Sequence, residues 1–158
     1  MRGKTPPLKN IQPDPVYSDT LVTKLINRTM SSGKKSVAQK QVYRALEQVG
    51  AQTGASPLSV FHEALENIRP QMEVRARRIG GAAYQVPNPV RGPRKDSLAI
   101  RWLLLAATAR PNSQFHTFSE KLAAEIIEAK NLSGAAVKKK LDTHRMAEAN
   151  KAFAHFRW

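Results

Sequence analysis

Arginine occupies alternate positions 75 and 77, in a segment rich in residues that favour β-structure. A planar guanidinium group can donate two parallel hydrogen bonds to one phosphate, so arginines in a row are suited to binding a polyanion. Because alternate residues of a strand share a face, Arg75 and Arg77 should lie together, with Met72, Val74 and Ala76 on the opposite face. The spacing therefore predicts a strand with one phosphate-binding face.

The residues that follow predict a turn and a second strand. Gly80 and Gly81 can supply the positive φ angles that a tight turn needs, and a second β-prone run comes after them. Pro87 and Pro89 end that run, because proline cannot donate a ladder hydrogen bond. We therefore expect an antiparallel hairpin at about residues 72–90.

Two histidine motifs could suggest metal binding or catalysis. His62, Glu63 and Glu66 imitate the start of the zinc-peptidase motif His-Glu-x-x-His, but glutamate replaces the second histidine. His144 and Glu148 are also four residues apart, and no serine or cysteine nucleophile accompanies them. We interpret both as exposed i,i+4 pairs, and we expect no metal site, no cofactor and no catalysis.

A short glycine-lysine motif could suggest nucleotide hydrolysis. The run Gly33, Lys34, Lys35, Ser36 is similar to the end of a phosphate-binding loop, but the lysine at position 35 stands where serine or threonine should follow. We therefore do not expect hydrolysis. Lys34 and Lys35 still lie just before a predicted helix, where unpaired backbone N–H groups favour an anion.

The composition points to a polyanionic partner. The 158 residues contain 26 Lys and Arg against 12 Asp and Glu, which gives a formal net charge of +14. Nucleic acid is the usual partner of such a field. The chain has no cysteine, no apolar run long enough to span a membrane and no secretory signal, so we expect neither disulfides nor membrane insertion.

Apolar residues at helical spacing predict six helices. Their approximate ranges are 19–32, 36–49, 57–69, 97–109, 117–131 and 134–150. The fourth is apolar almost all round, so we expect the other helices to enclose it. In the sixth, Val137, Leu141 and Ala147 should form the buried stripe. Ser36 with Gln39, and Thr117 with Glu120, predict capping boxes.

The predicted fold class is mainly α. It is a single six-helix domain with a protruding basic β-hairpin between the third and fourth helices, and with extended tails at both ends. Residues 1–15, which contain four prolines, should form an extended basic N-terminal tail. Residues 16–150 should form the helical RNA-binding domain, and residues 151–158 a C-terminal tail.

Basic residues concentrate on the elements that should project from this core, which favours binding to backbone phosphates of a folded nucleic acid. The candidate phosphate-binding residues are Arg2, Lys4, Lys9, Lys34, Lys35, Arg75, Arg77, Arg78, Arg94, Lys95, Lys138, Lys139, Lys140 and Arg145. A DNA-bending protein is the alternative, since a basic β-arm can also embrace a duplex, although the tip here lacks an apolar wedge. A nucleic-acid enzyme would need an acidic metal cluster or a base and nucleophile pair, and neither is evident.

Several long runs resemble the bacterial or organellar family of small-subunit ribosomal protein seven. These runs are GKKS at 33–36, VYRALE at 42–47, EVRARRIGGAAYQVP at 73–87, AIRW at 99–102 and HRMAEANKAFAHFRW at 144–158. The resemblance covers nearly the whole chain. It implies six helices with an inserted hairpin, which agrees with the number predicted from periodicity.

The resemblance also implies a role and a set of partners. Such a protein is a primary binder of small-subunit ribosomal RNA that nucleates assembly of the head, or 3′ major, domain. It lies at the subunit interface near the exit-site tRNA, in the bacterial cytoplasm or the equivalent organellar compartment, next to ribosomal proteins eleven and nine. No membrane contact and no homo-oligomer are expected.

The resemblance assigns two further groups of residues. The hairpin residues expected near the exit site are Arg77, Arg78, Gly80, Gly81 and Tyr84. The tail residues expected to reach protein eleven are Phe153, His155, Phe156, Arg157 and Trp158.

Overall fold

Six α-helices, one short 3-10 helix and one β-hairpin make up residues 11–156, the part of the chain that the computed structural model describes. The helices are α1 (Thr20–Thr29), α2 (Lys35–Thr53), α3 (Pro57–Ile68), α4 (Pro93–Ala109), α5 (Phe118–Lys130), α6 (Gly134–Ala149) and the 3-10 helix (Lys151–Phe156). The strands are β1 (Met72–Ile79) and β2 (Ala82–Pro89), which pair in antiparallel fashion between α3 and α4. The predicted mainly α fold with an inserted hairpin is confirmed.

Some helix starts follow from local side-chain chemistry, and one predicted start is wrong. The Thr117 side chain accepts a hydrogen bond from the backbone N–H of Glu120, and the Glu120 carboxylate accepts one from Thr117 N–H, so that capping box is confirmed. The predicted box of Ser36 is absent, because α2 already begins at Lys35 and no side chain caps it. Lys34 therefore occupies the N-cap position itself.

The central helix is α5, not α4 as the sequence predicted. Helix α5 packs against α2, α3, α4 and α6, and Leu122 and Ile126 are fully buried within it. Helix α4 keeps an outer face in solvent, where Arg101 is exposed and Leu105 is 61% exposed. An all-apolar pattern cannot identify the central helix when one large apolar residue stays on the surface.

Helix α6 buries a different stripe from the predicted one. Leu141 is 58% exposed, whereas Ala136, Val137, Thr143 and Ala147 are buried. Residues 136, 143 and 147 repeat at the helical period, which rotates Leu141 away from the core. The prediction was right for two of its three positions.

A buried carboxylate in α5 connects the end of α4 to the start of α6. Glu125 is fully buried, and its Oε2 accepts hydrogen bonds from Arg110 Nε at 2.9 Å and Nη2 at 2.6 Å. Its Oε1 accepts the backbone N–H of Ala136 at 2.9 Å, in the first turn of α6. Gly134 lies at φ +89°, and a Cβ there would stand 2.9 Å from Glu125 Oε1. Only glycine therefore fits at the start of α6.

The N-terminal segment contacts the helical body through Asp14. Asp14 is buried, and its carboxylate accepts a hydrogen bond from Tyr43 Oη at 2.8 Å and from the N–H groups of Val16 and Tyr17 at 3.1 Å each. Burial and the hydrogen bond to Asp14 raise the pKa of Tyr43 to about 12.

The hairpin is held at its base and along β2. The backbone N–H of Gln71, just before β1, donates to Nε2 of His144 in α6 at 3.1 Å. The Tyr84 ring of β2 contacts the rings of Phe153 and Phe156 in the 3-10 helix, with centroids 5.2 and 5.8 Å away. The hairpin therefore has a fixed direction relative to α6.

Candidate nucleic-acid interface

The strand register confirms the predicted alternation of the hairpin. Arg75 pairs with Val86 and Arg77 pairs with Tyr84, so these four side chains share one face. Arg78 is exposed on the other face. Gly80 and Gly81 form the turn at φ 56° and 90°, as predicted. The arginine face is not purely cationic, because Val86 is buried in it and Tyr84 contacts the C-terminal aromatic rings.

An acidic residue lies at the centre of the basic hairpin base. Glu73 is only 7% exposed, and its carboxylate accepts hydrogen bonds from Arg94 Nε at 2.9 and 2.8 Å and from Arg75 Nε at 2.6 Å. Burial by itself would raise the pKa of Glu73, but the hydrogen bonds from Arg94 and Arg75 outweigh it and lower the pKa. The carboxylate thus joins β1 to the first turn of α4.

Two adjacent grooves extend from the start of α4 along α1. The first, of about 410 Å³, is lined by Lys24 and Arg28 of α1 and by Pro93 and Ser97 of α4. The second, of about 380 Å³, lies between α1, α2 and α4 and is lined by Arg28 and Lys34, among others. Arg28 borders both grooves, so the α1–α2 junction and the start of α4 belong to one surface.

We call this surface the α1–α4 basic face, and define it by Arg28, Lys34, Arg75, Arg94 and Arg101. All five residues are exposed. Arg101 follows Ser97 by one helical turn, which places it beside the first groove. Lys34, Arg75 and Arg94 were predicted from the sequence, whereas Arg28 and Arg101 were not. The spacing of Arg28 relative to Lys24, opposite the apolar stripe of α1, was the available signal for one of them.

Other predicted basic residues lie at separate positions. Lys35 is exposed at the first position of α2. Lys95 is half-buried and lines a different groove, together with Arg69 and Arg91. Asp96, beside it, pairs with Lys24 at 3.2 Å and with Arg69 at 2.9 Å, which reduces the positive charge there.

The lysines of α6 differ from one another. Lys138, Lys139 and Arg145 are exposed. Lys140 instead donates from Nζ to the backbone carbonyl of Asn67 at 2.7 Å, and burial lowers its pKa. Lys140 is thus the member of this group least suited to meet a phosphate.

The two histidine pairs predicted from i,i+4 spacing are wrong. His62 Nε2 lies against Asp19 Oδ2 and not against Glu66, which pairs with Arg69. His144 accepts the hydrogen bond from Gln71 described above, and does not pair with Glu148. Each histidine therefore bonds to a residue outside its own helix and not to the glutamate four residues along that helix. Across residues 11–156, no three histidine or acidic side chains converge in a way that could hold a metal ion.

The two ends of the chain are only partly described. Arg2, Lys4 and Lys9, and likewise Arg157 and Trp158, lie outside the described residues. Phe153, His155 and Phe156 belong to the 3-10 helix, and the ring of His155 lies 3.9 Å from that of Phe156. Among residues 11–156, no helix combines the length and the apolar character needed to cross a membrane.

Comparison with known proteins identifies the family. The model of the family described as ribosomal protein S7p/S5e matches residues 1–151 of this chain. The chain belongs to the ribosomal protein S7p/S5e family. Its members are structural proteins of the ribosome, so this member is a constituent of the small subunit that binds ribosomal RNA in translation, and it is not an enzyme. Neither a DNA-bending role nor a nucleic-acid enzyme remains as an alternative.

Relatives within the S7p/S5e family match from end to end. The chain is 54% identical to small ribosomal subunit protein uS7 of Thermosipho melanesiensis over 158 residues, which is 100% of both chains. It is 57% identical to the uS7 protein of Carboxydothermus hydrogenoformans over 152 residues, 96% of both chains. It is also 54% identical to the uS7 protein of Thermotoga maritima over its whole length. These relatives are bacterial, and the chain is of the bacterial type.

Proposed function

We propose that this protein is a primary binder of small-subunit ribosomal RNA and that it nucleates assembly of the head, the 3′ major domain. The observation that carries the proposal is the α1–α4 basic face, where cations from α1, the α1–α2 junction, the hairpin and α4 meet on one surface. A surface assembled from four separate segments exists only in the folded protein. It can therefore bind and hold together RNA helices that are distant in the RNA sequence.

In this proposal the phosphate contacts come from the α1–α4 basic face, from α6 and from the N-terminal tail. Residues 1–15 act as a basic extension, residues 16–150 as the RNA-binding domain and residues 151–158 as a partner-binding tail. The contacts kept from the sequence prediction are Arg2, Lys4, Lys9, Lys34, Lys35, Arg75, Arg77, Arg78, Arg94, Lys95, Lys138, Lys139 and Arg145. Lys140 is left out because its Nζ donates to the carbonyl of Asn67. We add Arg28 and Arg101, because both are exposed on the same surface.

The hairpin tip has a second proposed role at the tRNA exit site. The tip is narrow, with Gly80 and Gly81 at the turn, and Arg78 is exposed beside it. Such a tip can approach an RNA backbone closely, and a guanidinium group can then meet a phosphate of the departing tRNA. Arg77 and Tyr84, paired across the strands, complete the proposed exit-site contact.

The C-terminal tail is proposed to contact ribosomal protein eleven, with protein nine as a further neighbour. Phe153 and Phe156 are partly exposed, and His155 is exposed. Aromatic side chains of this kind often anchor protein–protein interfaces. Arg157 and Trp158 belong to the same proposed contact.

The experiment that tests the RNA proposal measures the affinity of the full chain for a transcript of the 3′ major domain at several salt concentrations. We expect a clear preference over an unrelated transcript of equal length. Replacing Arg28, Arg75 or Arg101 with glutamine should weaken binding and reduce the salt slope of log affinity by about one unit per lost phosphate contact. No preference for the ribosomal transcript would overturn the proposal.

A matched control separates specific contacts from the loss of net charge. Lys130 pairs with Glu63 at 3.7 Å and lines neither groove of the α1–α4 basic face. Replacing it with glutamine removes the same formal charge, and we expect affinity and slope to stay close to those of the wild type. A loss equal to that of Arg28→Gln would mean that only overall charge matters.

A further inference from the structure

Glu73 is an acid within a surface that binds RNA, and simple electrostatics makes it unfavourable there. Its carboxylate repels the same phosphates that Arg75 and Arg94 attract. It is nevertheless only 7% exposed and lies between these two arginines. A role for Glu73 must therefore come from what it does to them.

The hydrogen bonds to Glu73 use one edge of each guanidinium group. Arg94 donates from Nε and pairs through Nη2 at 2.7 Å, and Arg75 donates from Nε and pairs through Nη2 at 2.6 Å. A guanidinium group has five N–H donors in one plane, so the edge formed by Nη1 and Nη2 remains for a second acceptor. The two side chains stay 46% and 48% exposed, so solvent or RNA can reach that outer edge.

The same contacts fix the orientation of both arginines. A free arginine side chain is flexible, and holding it still for binding costs conformational entropy. Here Arg75 comes from β1 and Arg94 from the first turn of α4, and one buried carboxylate holds both. That entropy is lost when the protein folds and not when it binds RNA.

We propose that Glu73 is a positioning residue for ribosomal RNA binding, which holds the outer edges of Arg75 and Arg94 toward neighbouring phosphates of one stretch of backbone. The inference rests on the proposed function, because it takes these two arginines as phosphate contacts. It adds that Glu73 raises the affinity for RNA, although its negative charge by itself opposes binding.

The test compares Glu73→Gln with the matched control Glu63→Gln, using the full chain and a 3′ major domain transcript. Both variants gain one unit of net positive charge, and Glu63 is exposed on α3. We expect Glu63→Gln to bind as well as or better than the wild type. Glu73→Gln should bind the transcript about tenfold more weakly, because binding must then order the long side chains of Arg75 and Arg94. An affinity of Glu73→Gln equal to or above that of the wild type overturns the inference.

The salt slope separates positioning from a lost contact. In Glu73→Gln both arginines keep their charge, so we expect the slope to match the wild type while the affinity falls. In Arg75→Gln a phosphate contact is lost, and the slope should fall by about one unit. A reduced slope in Glu73→Gln would contradict the positioning role.

A double-mutant cycle excludes a purely structural role and separates this inference from the proposed function. In a chain that already carries Arg75→Gln and Arg94→Gln, we expect Glu73→Gln to cause no further loss of affinity. If Glu73→Gln weakens binding there as much as it does in the otherwise wild-type chain, the inference is overturned. If the arginine variants themselves bind as tightly as the wild type, the proposed phosphate contacts are wrong instead.

Arg94→Lys tests the inference if Glu73→Gln does not fold. Lysine keeps the charge but lacks the planar guanidinium group, so the affinity for RNA should fall while the salt slope stays unchanged.

Discussion

Lys140 Nζ in α6 donates a hydrogen bond to the backbone carbonyl of Asn67 in α3 at 2.7 Å, while Asn67 Nδ2 donates to the carbonyls of Ala129 and Lys130 in α5 at 3.0 Å each. One lysine and one asparagine thus connect three helices. Lys140 belongs to a run of three lysines, but its ammonium group stabilises the packing of α6 against α3.

Lys140→Met should therefore destabilise the protein without changing its RNA contacts. It leaves the Asn67 carbonyl without this donor, which costs about 1–3 kcal/mol of unfolding free energy. The salt slope of RNA binding should stay at the wild-type value. Denaturant unfolding and binding at several salt concentrations measure the two effects.

Lys139→Gln is the matched variant, because Lys139 is exposed next to Lys140. It should leave the unfolding free energy unchanged within about 0.5 kcal/mol, as for most surface changes. The salt slope should fall by about one unit. If Lys140→Met reduced the slope as well, both lysines would be phosphate contacts.

Glu125→Ala should be among the most damaging changes in the core. It removes the acceptor that Arg110 and the Ala136 N–H share in a fully buried site. Arg110 keeps its ion pair with Glu128, but the buried N–H of Ala136 loses its acceptor, which by itself costs about 1–3 kcal/mol of unfolding free energy. Gly134→Ala should destabilise the protein at the same site, because the added Cβ would lie 2.9 Å from Glu125 Oε1. Thermal unfolding measures both, and a wild-type melting temperature for either variant would contradict this account.

His144 should make stability depend on pH. Burial, followed by the charge of Lys140, lowers the pKa of His144, so the folded protein favours the neutral ring that accepts the Gln71 N–H. Because the folded pKa lies below the unfolded value, this contribution is present above the unfolded pKa and is lost as pH falls through the folded pKa. His144→Gln keeps an acceptor without titrating. Its melting temperature should therefore fall less than that of the wild type between about pH 8 and about pH 5, the range in which histidine titrates.

Tyr84 should fix the C-terminal segment to the hairpin. Its ring contacts both Phe153 and Phe156, and such aromatic pairs contribute about 0.5–1.5 kcal/mol each beyond their buried area. Tyr84→Ala should make the 3-10 helix open more often. Limited proteolysis should then cut near Lys151 faster, while the core helices stay protected. An unchanged rate would show that the helix is held elsewhere.

The sequence determined the elements and the kind of partner. Periodicity placed six helices, Gly80 and Gly81 set the turn, and the Thr117 capping box fixed the start of α5. These features depend on residues close together in the chain, so local patterns report them. The excess of basic residues indicated a nucleic-acid partner, because net charge can be counted without knowing the fold.

Only the tertiary structure decided which cations face outward and which helix lies at the centre. The sequence does not distinguish the three lysines at positions 138–140, yet only Lys140 donates a hydrogen bond to the carbonyl of Asn67 and so stabilises the fold. Glu73 pairs with Arg94, which lies 21 residues away in the sequence, and no local pattern indicates that pair. Leu105 and Leu141 were apolar enough for the core, but the packing of α5 left them at the surface. These outcomes depend on contacts between distant segments, which hydrophobic spacing within one segment does not encode.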